Sequence, residues 1–558
     1  MRSSRLNGCL GLLTTVLAIV TSGASHGAMI PISGDPIATD GGMVSGTMLS
    51  SGVRAYLGIP YAKPPTQGLR WAPPAPLRWG GIWNADRKMP ECIQVLRPHN
   101  INHYFGEEAS SEDCLYLNIW APADSGASSK LPVIVFIYGG GGTIGSSGIA
   151  MYGGGVIAKS GNAVFVNFNY RLGILGFMAH PELSAEQGGH SGNYAYLDQS
   201  AAIHWVHDNI AKFGGDPDKV IIMGQSAGAQ SVSAQLFSPL SRGMYRGAVM
   251  SSGCSWTGGG PLGQPLPTLA DGENTGLEIQ RRLGASDLAA MRQLPADKIL
   301  ALQAEFQLGN STAGVRAGPI IDGYFTPKSR LETLRTHEVD DVPIIASFNH
   351  EDLDVANPLV AAKTAAEYQA IAAQMYGADA PEFLKLFPVV RDADIRATGI
   401  EAARESDLEA HARDCAKLQR QYNKSAAYID MFALNPSFAP GVKIADMDPA
   451  TAGAYHTADI PFWLGTQDVF NLFRTTRIWN GWDRKLSADM MDSLIAFAAT
   501  GNPNTVQVRW PAWSSKSEQK VVFGDTIQVV KLDTKKMDWL AAHPAVPIAR
   551  PAANRPRD

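Results

Sequence analysis

Charge is sparse in this chain and its signs nearly cancel. Of 558 residues 18% are charged, with 47 Lys and Arg against 52 Asp and Glu, for a net charge of −5. No block of basic residues interrupts that mild acidity, which argues against nucleic acid as a partner. Cysteine is scarcer, five in all, enough for a pair of disulfides. Long apolar runs are missing after residue 20, so no later segment could cross a bilayer. Internal repeats, low-complexity stretches and a linker that clearly separates domains are missing too. With 45% hydrophobic residues, the composition is that of a soluble globular protein and not of a disordered one. Length alone averages out to several domains, yet large α/β enzymes run past that guide as one unit.

The one long apolar run, residues 10–20, lies near the N-terminus. Arg2 and Arg5 precede it, and Ser22-Gly23-Ala24 and Gly27-Ala28 follow. A charged start, a short apolar middle and a small-residue exit predict a secretory signal peptide over residues 1–28. The mature protein is then secreted or periplasmic and has no stable membrane anchor. The competing reading, an anchor helix, asks for a longer run. Leu6-Asn7-Gly8-Cys9 resembles a lipoprotein cleavage box but stands before the apolar run instead of after it. Once Cys9 leaves with the signal peptide, Cys92, Cys114, Cys254 and Cys415 permit three pairings. Cys92–Cys114, which closes a short loop, is the expected first bridge. Cys254 and Cys415 form a second or remain buried thiols. Residues 29–545 are expected to make one domain, and the run-out over 546–558, rich in proline and arginine, a loose tail.

Between these ends, strand and helix patterns alternate. Residues 37–53 read as a small hairpin. From Tyr56 to Pro76 the density of proline predicts an extended surface strap without regular structure. Residues 114–120 alternate as a strand, and 131–138, LPVIVFIY, form the strongest buried strand. Gly139 to Gly142 follow it, exposing bare backbone N–H groups at the edge where open α/β sheets bind ligands. Residues 163–168 are a third buried strand, and 196–213 have helical spacing. Further strands are expected at 247–251 and 342–348. Helical patterns dominate 271–385 and 402–428. Such alternation predicts a mostly parallel central sheet with helices on both faces, with helical segments inserted as a cap above the sheet edge.

The chain is organised around residues 213–228, FGGDPDKVIIMGQSAG. A turn-forming Asp-Pro-Asp leads into a short apolar strand at 220–223, which ends in Gly224-Gln225-Ser226-Ala227-Gly228. A serine on a tight strand-to-helix turn has strained backbone angles, and glycines two residues before and after remove the Cβ atoms that would clash. The helix that follows aims its free N–H groups at the same place. The pentapeptide alone would also fit a Gly-Ser turn without chemistry; the strand before it and the partners below give it weight.

Five stretches together resemble the type B carboxylesterase family of α/β-hydrolases, which includes the cholinesterases. They are GIPYAKPP at 58–65, EDCLYLNIWAP at 112–122, NYRLGILGF at 169–177, GNYAYLDQ at 192–199, and the 213–228 stretch. The resemblance covers nearly the whole chain after the signal peptide. It implies Ser226 as nucleophile and His456, in GAYHTADIPFWLG at 453–465, as its base. The acid is expected just after the 342–348 strand. There the family ends Asp-Glu-Gly, but this chain reads Asn349-His350-Glu351-Asp352-Leu353. Position places Asp352 where the family's glutamate stands, with Glu351 as the alternative. The oxyanion hole would be the backbone N–H groups of Gly140, Gly141 and Ala227. Gln225 replaces a frequent glutamate, removing a negative charge beside the serine. Gly142 replaces a frequent aromatic, which widens the acyl side of the pocket or loosens the loop.

The expected reaction is hydrolysis of a small-molecule carboxylic ester through an acyl-serine, with no cofactor. No metal is expected either: His204 with His207, and His99 with His103, have metal-like spacing but no carboxylate or cysteine partners to match. A cholinesterase-like choice of substrate calls for tryptophan in the 92–114 loop, which holds Tyr104 and Phe105 instead. Trp256 and Trp463 are either pocket walls or ordinary core aromatics. Two other readings stay open, a catalytically silent binding member of the fold and a hydrolase of amides or carbamates.

Overall fold

The computed structural model describes residues 30–95, 109–258, 264–308, 315–444 and 447–548. The expected signal peptide, His99, His103, Tyr104, Phe105 and most of the tail lie outside them.

An eleven-stranded sheet forms the frame. In chain order its strands are β1 Thr47–Met48, β2 Arg54–Pro60, β3 Tyr116–Ala121, β4 Leu131–Ile137, β5 Val164–Phe168, β6 Gly215–Gln225, β7 Gly247–Ser251, β8 Ile344–Asn349, β9 Ala427–Phe432, β10 Gln519–Phe523 and β11 Ile527–Lys531. Across the sheet they run β11-β10-β9-β8-β7-β6-β4-β5-β3-β2-β1. The pairings from β10 through β5 are all parallel, and those at the two margins are antiparallel. Strands β4 to β9 are largely buried and mostly apolar because helices cover both faces. The helices Ala227–Phe237 and Gly481–Thr500 both pack on β4 and β6.

Several expectations need correction. The first part of the proline-rich strap is a strand, since β2 pairs with β3 through Arg54–Pro60. Its proline ends the strand and the rest of the strap lies outside it, so proline bounds regular structure there instead of forbidding it. The helical reading of 402–428 overruns: the helix Leu408–Tyr422 stops, and Tyr428 belongs to β9. β10, β11 and the helix Gly481–Thr500 are additional to the elements expected from the sequence. That helix begins in a capping box between Asn480 and Asp483 and ends at Gly501, which has φ 77°.

The helices inserted after β7 and β8 leave from the carboxyl edge of the parallel strands. Those after β8 include Ala365–Tyr376, Ala380–Leu386 and Ile395–Ser406, and they share a second core with Trp539 and Leu540 around Tyr368, Phe383 and Phe387. Both disulfides form: Cys92–Cys114 across 22 residues and Cys254–Cys415 across 161. The second ties the segment after β7 to the helix Leu408–Tyr422. Two such bridges fit an oxidising compartment. No helix among the described residues is long and apolar enough to cross a membrane.

Candidate active site

Ser226 stands between β6 and the helix Ala227–Phe237 with φ 58° and ψ −126°. This conformation is costly for a residue with a side chain and persists only where the surroundings hold it. Here they do. The Ser226 N–H donates to the Ser251 carbonyl at 2.8 Å, tying the turn to the end of β7. A Cβ on Gly224 would come within 2.2 Å of the Gly228 carbonyl oxygen, and one on Gly228 within 2.1 Å of the Ile137 oxygen. Both glycines are therefore required by close approach of the chain. Ser226 and Ala227 are half-buried at the carboxyl edge of the sheet.

His456 approaches from the other side, on the loop after a bridge between Glu351 and Tyr455. Its Nδ1 lies 2.5 Å from Asp352 Oδ1. Its Nε2 faces the 225–226 turn, where the Gln225 side-chain amide reaches it at 3.1 Å. With Nδ1–H given to Asp352, Nε2 is the free acceptor, and Gln225 donates to it. The residue noted for lacking a charge is thus a direct partner of the imidazole.

The two candidate acids separate clearly. Asp352 is buried and accepts four bonds. Besides His456, the Leu353 N–H reaches Oδ1 at 2.8 Å, the Ser252 hydroxyl reaches Oδ2 at 2.5 Å and the Asn349 N–H reaches Oδ2 at 3.1 Å. Burial opposes its charge, but His456 and these donors outweigh burial and hold the carboxyl below its ordinary range. The same pairing, against burial, lifts the His456 pKa above the usual imidazole value. Glu351 turns the other way. It accepts the Ala454 N–H at 2.7 Å and pairs with His350 at 2.8 Å. Its side chain braces the loop that carries His456 instead of touching the ring.

The glycine run after β4 forms the third side. Gly140, Gly141 and Gly142 have φ of 111°, 66° and 71°. A Cβ on Gly140 would meet the Ile144 carbonyl oxygen at 2.2 Å, so this backbone is open only to glycine. At Gly142 a Cβ would lie 3.3 Å from the Phe177 ring. The Phe177 ring thus lies against position 142, and the loop is tied down, with the Gly173 N–H donating to the Gly142 carbonyl at 2.7 Å.

A second layer was not read from the sequence. Asp459, three residues after His456, is buried and accepts the Ser251 hydroxyl at 2.6 Å and the Asn349 amide at 3.2 Å. Asp430 on β9 accepts the Ser347 hydroxyl at 2.9 Å. Burial pushes both carboxyls up, Asp430 well above its ordinary range. Asp459 lies inside the 453–465 stretch, but nothing local marks it: its partners come from strands more than a hundred residues away. Of the tryptophans singled out, Trp463 is core, stacked on Trp510. Trp256 packs edge-on against Phe237. His204 bonds the Leu240 carbonyl at 2.6 Å and His207 meets Asp208 at 3.2 Å. Among the described residues no group of three or more His, Cys, Asp or Glu could hold a metal.

Comparison with known proteins agrees with this architecture. The model of the carboxylesterase family matches residues 34–539. A fumonisin B1 esterase from Sphingopyxis macrogoltabida is 34% identical over 489 residues, covering 86% of this chain and 85% of that one. A cocaine esterase from Homo sapiens is 30% identical, covering 93% and 92%. Among solved structures, a PNB esterase superposes with a TM-score of 0.72 at 28% identity, over 90% of this chain and 98% of the other. A parallel sheet with a serine turn at its carboxyl edge, matched in sequence almost from end to end, makes this chain a member of the carboxylesterase family, a carboxylic ester hydrolase with the α/β-hydrolase fold.

Proposed function

We propose that Ser226, His456 and Asp352 act as nucleophile, base and orienting acid, and that the ester is cleaved through an acyl-serine intermediate. The observation that carries this reading is the Asp352–His456 pair at 2.5 Å, which supports a tautomer with Nε2 free beside Gln225, the neighbour of Ser226. An unassisted serine hydroxyl is a poor nucleophile. His456 Nε2 takes the Ser226 proton as Oγ attacks the ester carbonyl. The resulting imidazolium is stabilised by buried, ionised Asp352, then returns the proton to the departing alcohol. Water, activated by the same nitrogen, frees the acid. Gly140, Gly141 and Ala227 supply the oxyanion donors: the first two from a loop held in left-handed backbone, the third from the first turn of a helix whose own carbonyls cannot satisfy it. One such donor lowers the barrier by roughly 3–4 kcal/mol. Gln225 competes for Nε2 in the free enzyme and must yield to the serine hydroxyl, consistent with catalytic hydrogen bonds tightening only on substrate binding.

The protein acts outside the cytoplasm, secreted or periplasmic, after loss of residues 1–28; its two disulfides support that reading. The test is turnover of a chain-length series of p-nitrophenyl esters by wild type and Ser226→Ala. The substitution should remove turnover by about 10⁴-fold or more and leave the melting temperature within a few degrees. Residual activity near wild type would remove Ser226 from the mechanism.

A further inference from the structure

Three large apolar side chains stand in solvent on one loop between the His456 segment and the helix Gly481–Thr500. Leu472 is 62% exposed, Phe473 83% and Ile478 52%. Single exposed apolar residues are ordinary and need no explanation; Val506, 99% exposed between polar Thr505 and Gln507, is one. Adjacent ones, as at 472–473, point to a contact.

Slack does not account for the exposure, because the loop is clamped at its neck. The Asn471 side-chain oxygen accepts the Thr476 and Arg477 N–H groups at 2.8 and 3.0 Å, and its amide donates to the Arg477 carbonyl at 3.0 Å. The Thr476 hydroxyl donates to the Phe470 carbonyl at 2.5 Å. Behind the neck, the Ala439 N–H donates to the Thr476 carbonyl at 3.0 Å and the Ile478 N–H to the Ser437 carbonyl at 2.8 Å. Only Leu472-Phe473-Arg474-Thr475, the tip, is left facing solvent between these clamps. A loop already ordered gives up little conformational freedom when it docks.

The charges divide by depth. Arg477 is buried at the root, 3.8 Å from the Phe438 ring centroid, and donates to the Tyr455 hydroxyl at 3.3 Å. Arg474 stands at the tip, and no hydrogen bond or ion pair engages its guanidinium among the described residues. Asp468, just before the loop, is taken by Arg484, and Lys485 pairs with Asp489 while passing over the Trp482 ring. The tip thus presents two apolar side chains beside a cation without a counter-ion. A specific protein interface covers roughly 800 Å² on each partner, more than so narrow a tip can supply. A lipid boundary has no shape to match: it accepts a few apolar side chains and, when anionic, attracts the cation beside them.

We propose that the loop 471–478 is a peripheral membrane-contact site, in which Leu472, Phe473 and Ile478 enter the boundary between headgroups and acyl chains while Arg474 pairs with the phosphate of an anionic lipid. The contact is reversible, requires no spanning helix, and stands apart from the roles proposed for Ser226, His456 and Asp352. Through Arg477 the loop is rooted on Tyr455, the residue before His456, so docking brings the loop that carries His456 toward a lipid surface.

Co-sedimentation of the whole protein with vesicles tests it, using phosphatidylcholine alone and phosphatidylcholine mixed in equal parts with phosphatidylglycerol. Wild type should sediment with the mixed vesicles and less with phosphatidylcholine, and added salt should narrow the difference. Phe473→Ser should weaken binding to the mixed vesicles by roughly tenfold or more, the worth of burying that ring. Arg474→Gln should weaken it by roughly fivefold, the worth of one cation at an anionic surface. Val506→Ser should bind as wild type does. All three variants should retain the wild-type melting temperature and turnover of soluble p-nitrophenyl acetate, which separates lost docking from lost folding. Absence of wild-type binding to either vesicle overturns the proposal. Binding that survives in both Phe473→Ser and Leu472→Ser overturns the assignment to this loop. Equal binding of wild type to the two vesicles overturns the pairing of Arg474 with anionic lipid. A dimer in light scattering that Phe473→Ser dissolves, without vesicle binding, identifies a second copy of the chain as the occupant and overturns the lipid reading.

Discussion

Of the clusters of buried ionisable groups among the described residues, two differ in construction. At the carboxyl edge of the sheet, Asp352, Asp459 and Asp430 are held by an imidazole, by the hydroxyls of Ser252, Ser251 and Ser347, and by the Asn349 amide. None of these partners is an arginine or lysine. Elsewhere, Glu409 on the helix Leu408–Tyr422 is gripped by Arg404 at 2.8 Å and by Lys520 of β10, all three side chains buried. Burial opposes the charge on Glu409, yet the two cations hold its carboxyl below the ordinary range. A carboxylate paired with permanent cations has no proton to exchange. One paired with an imidazole can support a proton that moves. The first cluster therefore reads as chemistry and the second as architecture, although burial alone does not tell them apart.

Substitutions in the two clusters should separate these roles. The largest effect is expected from Asp352→Asn, which preserves shape but removes the charge that fixes the His456 tautomer. Its kcat should fall by about 10⁴-fold while urea unfolding shifts little. Glu409→Gln should do the reverse. Leaving Arg404 and Lys520 buried without their carboxylate should cost about 3–5 kcal/mol of stability, with kcat per folded molecule close to wild type.

Glu405, beside Glu409, sharpens the contrast through pH. Burial first, then Glu409 and Glu401, raise its carboxyl from 4.5 to about 8, and its Oε2 is buried without a partner. A group that holds its proton more tightly folded than unfolded loses its stabilising contribution as pH rises through the interval between the two values. Glu405→Gln should therefore match wild type near pH 4 and gain thermal stability over it progressively up to pH 8. The smallest effect belongs to Glu351→Gln. It retains an oxygen for the Ala454 N–H and should lower kcat by about tenfold or less, roughly 1 kcal/mol. A loss as severe as that of Asp352→Asn would reverse the order of the two acids.

What the sequence disclosed and what it withheld follow one physical division. β4, β5 and β7 are apolar on both faces and short, so their runs read directly as buried parallel strands. The serine turn was legible because close packing dictates two glycines at fixed spacing. Asp352 could be set against His456 by counting from the end of β8, since a parallel strand delivers its next residues to the carboxyl edge. β2 was hidden because its proline stands at the strand's last position. β9 was absorbed into the helical pattern before it, and β11, on the margin of the sheet and largely facing solvent, has no apolar run to announce it. Ser252, Asp459 and Asp430 remained invisible for another reason. Each acquires its meaning from a partner distant in the chain, and a single residue in isolation has no period to read.

The most direct test of the account is the site at which a serine-directed phosphonate becomes attached while p-nitrophenyl ester hydrolysis is being blocked, read by peptide mapping of the inhibited protein. The account predicts one adduct, on Ser226, formed in step with the loss of turnover and formed far more slowly in Asp352→Asn. Complete inhibition with the adduct on another residue, or an Asp352→Asn protein labelled as fast as wild type, would contradict it.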